Sequence, residues 1–279
     1  MRAIAAWTLA WLALWAAVAH HVPRTPAIPD VALNNAVAAE RMREDGLAGR
    51  TVLIGSSLIG QLPVARFDAG ALNLGLSAYG AATGIRLVER QASLPAVAVI
   101  EINELAAPPD TLYADSLFAA APGAPFVRRA LGGLRLARFE FRPSTQAIAV
   151  AVRLSRRLRA LQRESAKRRA ERRFAESWAT SYADTARARA ALRWTAARLR
   201  DWQRRGVRVV LLDVPMHDAV LASDDARAAR LVIDSELPPA AFDRVTLGAG
   251  PWRTSDARHL EANDATEAAR RLVAALARP

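Results

Sequence analysis

A serine placed just after a short apolar run is the first residue in this sequence that could do chemistry. The run Thr51–Gly55 predicts a short buried strand that ends at its glycine. Ser57 follows where such a strand passes into a helix, and in an open parallel sheet reactive groups gather at that end of the strands. Two other motifs are excluded, because a P-loop would need lysine at Gln61 and the G-x-S-x-G elbow would need glycine at Ile59.

The sequence offers two candidate bases for this serine. A serine hydroxyl attacks an acyl ester when a base takes its proton, a carboxylate orients that base, and donors receive the oxyanion. Of the 4 histidines, His20 and His21 lie beside the apolar amino-terminal segment, which leaves His217 and His259. Asp256 precedes His259 closely enough to bond its ring in a loop or helix turn. Taken alone, so short a motif is more typical of a surface aspartate and histidine at a helix start. His217 stays open as a second base, a substrate contact or a polar loop residue.

Four short blocks, in this order along the chain, resemble those of the SGNH (GDSL) hydrolases. Residues 55–58, Gly-Ser-Ser-Leu, are similar to the Gly-Asp-Ser-Leu block, and residues 73–78, Asn-Leu-Gly-Leu-Ser-Ala, are similar to the second block. Residues 101–104, Glu-Ile-Asn-Glu, resemble the Gly-x-Asn-Asp block, and residues 256–260, Asp-Ala-Arg-His-Leu, resemble the Asp-x-x-His block. Four blocks in order form a more specific pattern than any one of them.

The resemblance implies a fold and a set of roles. The fold is α/β, a three-layer α/β/α arrangement with a mainly parallel sheet of the SGNH or flavodoxin-like kind. The nucleophile would be Ser57, the base His259, and the carboxylate that orients the base Asp256. The implied oxyanion donors are the backbone N–H of Ser57, the backbone N–H of Ala78 (or of Gly75 or Gly80 if the register of the second block differs) and the side-chain amide of Asn103.

Departures from the family pattern narrow the expected substrate. Ser56 stands where the family has aspartate, and Glu101 and Glu104 stand where it has glycine and aspartate. The change at Ser56 is also seen in membrane-tethered relatives that handle O-acyl groups on exported polysaccharides. The sequence offers no physical account of Glu101, which it places near the edge of the sheet.

The resemblance therefore implies a serine esterase or acyltransferase that uses an acyl-serine intermediate. Its substrate would be an O-acetyl or other O-acyl ester of a cell-envelope or exported carbohydrate, with no cofactor, no metal, and a membrane acyl-transfer protein as a partner. The alternative is a non-catalytic, membrane-anchored subunit of the same fold that scaffolds a polysaccharide-modification or secretion complex. The intact serine, aspartate and histidine favour the enzyme.

The amino-terminal segment predicts export. Residues 3–19 form an uncharged run after Arg2, and as a helix this run would cover about 25 Å of a bilayer core about 30 Å thick. Three tryptophans, from Trp7 onward, recur every four residues on one helix face, which favours a retained signal-anchor within residues 1–22. An Ala-Val-Ala sequence ending at Ala19 also matches a signal-peptide cleavage site. We expect a domain anchored in the inner membrane that lies in the periplasm or otherwise outside the cytoplasm, or one secreted after cleavage.

Periodicity and composition predict the remaining organisation. The chain of 279 residues has no cysteine, so it can form neither disulfides nor a cysteine-based metal site. Residues 23–48 predict a proline-bearing linker and a short helix, and residues 49–279 predict the folded domain. Alternation of strands and helices in that domain is typical of a parallel sheet covered by helices. We predict strands at 51–55, 71–74, 97–102 and 207–213, and helices at 80–92, 112–121, 185–205, 216–231 and 264–277.

A basic stretch at about 144–183 interrupts this pattern. Between residues 153 and 173 there are 10 Lys or Arg against 2 acids, in a chain whose net charge is +12. We interpret the stretch as a helical insertion that binds anionic lipid or an anionic glycan. The alternative explanation is that the base composition of the genome makes the chain rich in arginine without a binding function. No nucleic-acid motif, dinucleotide fingerprint or metal-ligand cluster appears in the sequence.

Overall fold

Strands and helices alternate along the described part of the chain. The computed structural model describes residues 31–119, 185–247, 250 and 252–277, together with three single positions near the amino terminus. The strands are β1 (Thr51–Gly55), β2 (Leu72–Gly75), β3 (Val97–Glu101), β4 (Arg208–Asp213) and β5 (Asp243–Thr246). The helices are α1 (Val31–Asp45), α2 (Ser57–Gly60), α3 (Ala81–Val88), α4 (Thr111–Ala119), α5 (Thr185–Arg204), α6 (Asp218–Leu221), α7 (Asp224–Glu236) and α8 (Ala262–Leu276), and a 3₁₀ turn spans Val64–Arg66.

These strands form one parallel sheet in the order β2-β1-β3-β4-β5. Parallel neighbours need a crossover between them, which is why a helix or a long connection separates each strand from the next. The order reverses between β1 and β3, and doubly wound sheets bind ligands at the carboxyl ends of the strands that flank such a point. The register pairs Ile54 with Ile100, so that Gly55 and Glu101 come next to each other where the two strands end.

The core is built from the central strands and the helices packed on them. Apolar β-branched and leucine side chains of β1, β3 and β4 are buried almost completely, as expected for strands covered on both sides. Burial of each such side chain stabilises the fold by about 1.5–3 kcal/mol relative to exposure. Helix α5 packs on β4, α3 packs on β1, and α1 packs on β2 and α4.

The predicted α/β class with a parallel sheet is confirmed, but one strand was not predicted and one predicted helix needs correction. The sequence did not predict β5, because Asp243–Thr246 is a short, charged edge strand without an apolar run. The single helix predicted at 216–231 is wrong: two helices, α6 and α7, occupy this region. Ser223 starts the second of them as an N-cap, since its side chain accepts a hydrogen bond from the N–H of Ala226.

Three predicted segments lie outside the described residues: the apolar run 3–19 apart from its three single positions, the linker before residue 31, and the basic insertion at 144–183. Within the part of the chain that the structure describes, no helix has both the length and the hydropathy that crossing a bilayer requires. The short helix predicted after the linker is α1, and it is followed directly by Gly46, whose φ of 67° suits glycine. Contacts place α1 in the same compact unit as the sheet.

Candidate active site

Ser57 is the first residue of α2, directly after the end of β1. The preceding residue, Ser56, is the N-cap of this helix, and its hydroxyl accepts a hydrogen bond from the N–H of Leu58 at 3.1 Å. The last residue of the strand, Gly55, has no room for a side chain, because a Cβ there would lie 2.4 Å from a carboxylate oxygen of Glu101. The sharp turn from strand to helix places Ser57 at the carboxyl edge of the sheet.

Ser57, His259 and Asp256 form a continuous chain of side-chain contacts. The Oγ of Ser57 lies 2.8 Å from Nε2 of His259, although the two residues are 202 positions apart in the sequence. The Nδ1 of His259 lies 2.7 Å from Oδ2 of Asp256. An ionised carboxylate only accepts hydrogen bonds, so Nδ1 carries the proton and Nε2 is left to accept the proton of the serine hydroxyl.

The loop that carries the histidine is held by its own backbone bonds. Thr254 and Leu260 form an antiparallel bridge, which closes the loop at its base. Inside it, Oδ1 of Asp256 accepts the N–H groups of Arg258 at 3.0 Å and His259 at 2.8 Å. Burial alone would raise the pKa of Asp256, but the hydrogen bonds from the ring and backbone of His259 hold this pKa below its usual value. Asp256 is therefore ionised at neutral pH and can stabilise an imidazolium.

Of the two candidate bases, His259 is the one in contact with the serine. The backbone N–H of His217 donates to the carbonyl of Ala257 at 3.1 Å, so the loop after β4 supports the loop that carries His259. The side chains of His259 and Asp256 are 30% and 41% exposed, so the reacting atoms are within reach of a substrate from solvent.

Ala78, at which the resemblance places the glycine of the second block, has a left-handed backbone conformation. Its φ is 64°, in the left-handed region that glycine adopts most easily. The alternatives in that block differ: the N–H of Gly75 donates to Oδ1 of Asn73 at 3.0 Å, and Gly80 has φ −84° as the N-cap of α3. Among the described residues, no acceptor is bonded to the N–H of Ala78 or to that of Ser57. Both N–H groups are therefore uncommitted, as an oxyanion donor has to be, and so, within the same residues, is the N–H of Gly80.

Asn35, which sequence reasoning missed, fixes the peptide next to Ala78. Its amide nitrogen donates to the carbonyl of Ser77 at 2.9 Å, and its Oδ1 accepts the N–H of Ser77 at 2.8 Å. Asn35 is fully buried on α1, in a segment that the sequence assigns to the linker region. Its spacing of four residues from Ala39 and seven from Met42, both of which are buried, puts it on their face of the helix and is the signal that could have identified it.

The side chain of Asn103 is engaged elsewhere. Its Nδ2 donates to Oδ1 of Asp213 and to the carbonyl of Val214, both at 3.1 Å, and its Oδ1 accepts the N–H of Val214 at 2.9 Å. These bonds join the end of β3 to the end of β4 and satisfy an amide that is 3% exposed. Both amide hydrogens are thus in use, and donation to an oxyanion would require one of these bonds to open.

Two carboxylates of the third block also have partners beside the serine. Glu101 accepts hydrogen bonds from Ser56, and Glu104 forms an ion pair with Arg258, which lies between the aspartate and the histidine in sequence. The latter pair ties the loop of His259 to the end of β3. The resemblance of the sequence to the family blocks marks both glutamates as departures, but it does not indicate these contacts.

Comparisons with protein-family models, with curated proteins and with solved structures found no match. Within the described ranges, no group of three or more His, Cys, Asp or Glu side chains is arranged to hold a metal ion. What the arrangement offers chemically is a hydroxyl, a base and a carboxylate in sequence, with two backbone donors available nearby.

Proposed function

We propose that this protein is a serine esterase or acyltransferase of the SGNH type. The observation that carries the proposal is the contact chain from Ser57 through His259 to Asp256, with distances of 2.8 and 2.7 Å. A nucleophile within hydrogen-bond reach of a base, and a base oriented by a carboxylate, is the geometry that acyl transfer through a serine requires. The strand order and the turn that presents Ser57 are compatible with the three-layer SGNH or flavodoxin-like arrangement that the sequence implies.

The geometry supports a two-step reaction. In the first step Oγ of Ser57 attacks the acyl carbon while Nε2 of His259 takes the hydroxyl proton, and Asp256 stabilises the imidazolium. The N–H groups of Ser57 and Ala78 receive the oxyanion. The intermediate then collapses, the C–O bond to the alcohol breaks, and His259 returns its proton to the leaving oxygen. This leaves an acyl group on Ser57.

The second step repeats these roles with a new nucleophile. His259 removes a proton from water or from a sugar hydroxyl, the oxygen attacks the acyl-serine, and Ser57 regains the proton as it leaves. Hydrolysis and transfer share the same residues and differ in the acceptor. We propose an O-acetyl ester of a cell-envelope or exported carbohydrate as the substrate, because serine at position 56 resembles the relatives that handle such groups.

The proposed location follows from the sequence. A domain outside the cytoplasm, tethered by residues 3–19 and with a basic insertion at 144–183, would meet its carbohydrate substrate and a membrane acyl-transfer partner at the membrane surface. Secretion after signal cleavage would instead release the domain. The intact mass of protein taken from the membrane fraction distinguishes a retained segment from a mature chain that begins at His20.

A serine-directed fluorophosphonate probe tests the catalytic proposal directly. We expect the probe to label the full chain, Ser57→Ala to lose all labelling, and His259→Ala to slow labelling by about 10²–10⁴-fold. Ser235→Ala is the matched control, because Ser235 is an exposed serine on α7 whose hydroxyl bonds the carbonyl of Val232. If wild-type protein is not labelled, or if Ser57→Ala is labelled as fast as wild type, the enzyme proposal is wrong and the scaffold alternative gains support.

A further inference from the structure

Glu101 is a buried carboxylate immediately behind the candidate nucleophile. It ends β3 and is 1% exposed, a level of burial that carboxylates seldom reach without a specific partner. Its partner is Ser56: Oε2 accepts the backbone N–H of Ser56 at 2.7 Å, and both carboxylate oxygens lie 3.0 Å from the hydroxyl of Ser56. A single side chain from β3 thus holds both donors of the residue before Ser57.

These bonds continue to the start of α2. The hydroxyl of Ser56 donates toward Glu101 and at the same time accepts the N–H of Leu58 at 3.1 Å, which caps the helix. Gly55 lets the carboxylate approach, since a Cβ there would lie 2.6 Å from Cβ of Glu101. The turn from β1 to α2, which sets the position of Ser57, is therefore fixed from behind by a residue that a substrate cannot reach.

We propose that Glu101 is a positioning residue of this site, whose carboxylate holds Ser56 and thereby keeps the hydroxyl of Ser57 against His259. The inference rests on the proposed function, because it concerns the reaction that Ser57 would carry out. The inference goes beyond that function because it assigns a role to a side chain that touches neither the substrate nor the reacting atoms.

The charge of Glu101 gives the proposal a distinct signature. Burial raises the pKa of Glu101 to about 7, although the hydrogen bonds from Ser56 and the field of Arg258 oppose the rise. On the side of β1 and α2 the carboxylate meets the neutral donors of Ser56 and Ile59. On the side of the histidine loop it feels the guanidinium of Arg258, which also pairs with Glu104.

Protonation of Glu101 weakens its hold on Ser56. The ionised carboxylate accepts both donors of Ser56 in charge-assisted bonds, which are stronger than neutral ones. A protonated carboxyl group keeps only its carbonyl oxygen as a strong acceptor for the two donors of Ser56, and the bonds that it then makes are neutral and weaker. The rate of a reaction at Ser57 should therefore fall more steeply as the pH drops below about 7 than it would with a neutral group at position 101.

The test compares Glu101→Gln with Glu101→Ala in the full chain. Glutamine keeps the shape and can still accept the N–H of Ser56, so we expect its labelling rate by the fluorophosphonate at pH 8 to stay within about 10-fold of wild type. Alanine releases the turn, and a displacement of about 1 Å at the nucleophile costs roughly 100-fold in rate. With an activated acetyl ester as substrate, the loss should fall on kcat and leave KM within about twofold, because Glu101 does not touch the substrate.

A control and a rescue separate positioning from general damage. Glu89→Gln is the matched control: it neutralises a largely buried carboxylate at the end of α3, where Glu89 pairs with Arg86 and Arg198, and its rate and pH profile should match wild type. The rescue is Ser56→Asp with Glu101→Gly, in which a carboxylate at the N-cap replaces the one removed from β3. It should recover at least tenfold over Glu101→Gly alone. Ser56→Asp alone should lose activity, because it sets two carboxylates against each other.

The outcomes distinguish this inference from the proposed function. No Ser57-dependent labelling in wild type overturns both. Labelling in wild type together with unchanged rates in Glu101→Ala overturns the positioning role and leaves the enzyme proposal intact. The positioning role is also overturned if Glu101→Gln keeps the steeper fall in rate at acid pH that wild type shows. It is overturned as well if the folded variant with Ser56→Asp and Glu101→Gly is no faster than Glu101→Gly alone.

Discussion

Ionisation of Glu101 should make the whole protein less stable as the pH rises toward neutrality. The carboxyl group has a pKa of 4.5 when solvated and about 7 in the folded protein, because burial disfavours its charge. Between these values the folded protein binds a proton that the unfolded chain has released. The resulting stabilisation is fully present below pH 4.5 and is lost as the pH rises through 7. At 1.36 kcal/mol per pH unit, the loss amounts to about 3 kcal/mol.

Chemical denaturation of wild type and Glu101→Gln between pH 5 and pH 8 measures this effect. Glutamine cannot ionise, so we expect the free energy of unfolding of wild type to fall relative to that of Glu101→Gln by most of this amount, and then to level off above pH 8. Asp213, whose pKa burial also raises, is present in both proteins and cancels in the difference.

Glu267→Gln is the control for this measurement. Glu267 is a partly exposed carboxylate on α8 whose pKa is lowered to about 2 by hydrogen bonds from Arg270 and Arg271. Its contribution to stability is present above pH 4.5 and is lost as the pH falls through 2, which is outside the measured window. Glu267→Gln and wild type should therefore give parallel curves. Parallel curves for Glu101→Gln and wild type would instead show that Glu101 is ionised without cost, and the assignment of a burial-raised pKa would be wrong.

Three further predictions concern the site and the basic stretch. Hydrolysis of p-nitrophenyl acetate should be lost almost completely in Ser57→Ala and His259→Ala but less completely in Asp256→Ala, and wild-type turnover in Ser57→Ala would contradict the site. Ala78→Gly should raise the free energy of unfolding, measured by denaturation, by about 0.5–1 kcal/mol, because glycine adopts a φ of 64° without strain. Ester hydrolysis should be unchanged, since the backbone N–H remains. A destabilised variant would contradict this prediction. The protein from about residue 30 onward should bind anionic vesicles with strong salt dependence. A quadruple variant with glutamine at Arg156, Arg157, Arg168 and Arg169 should lose this binding. Equal binding by the variant would show that the charge of the basic stretch reflects amino-acid composition and not a binding function.

The sheet could be predicted where burial leaves a simple pattern and not elsewhere. The apolar runs of β1, β3 and β4 are covered on both sides, so each appears in the sequence as an uninterrupted hydrophobic segment between turn residues. Strand β5 lies at the edge, where one neighbour suffices and charged residues are tolerated, and it therefore leaves no such segment. The break between α6 and α7 depends on one serine cap, which a periodicity argument passes over.

The residues of the candidate site could be named from sequence, but their supports could not. Ser57, Asp256 and His259 belong to short blocks with fixed spacing, and a parallel sheet brings such blocks to one edge. Asn35 supports the second block across 42 positions, through hydrogen bonds that leave no spacing to recognise. Asn103 shows the converse, because its position after a buried strand predicts a need for partners, while the structure shows that these partners are Asp213 and Val214.

Ser56 and Glu101 show why a comparison of blocks, one position at a time, misses compensation in space. Against the Gly-Asp-Ser-Leu and Gly-x-Asn-Asp blocks they count as two unrelated departures, one carboxylate lost and one gained. In the folded chain they are a single contact of 2.7 Å, made possible because parallel pairing brings the ends of β1 and β3 together and because Gly55 leaves the space free. A carboxylate thus still lies beside the turn that presents Ser57, but it belongs to the neighbouring strand, β3. A substitution at either position should therefore be judged with the other, and their effects on the rate at Ser57 should be strongly non-additive.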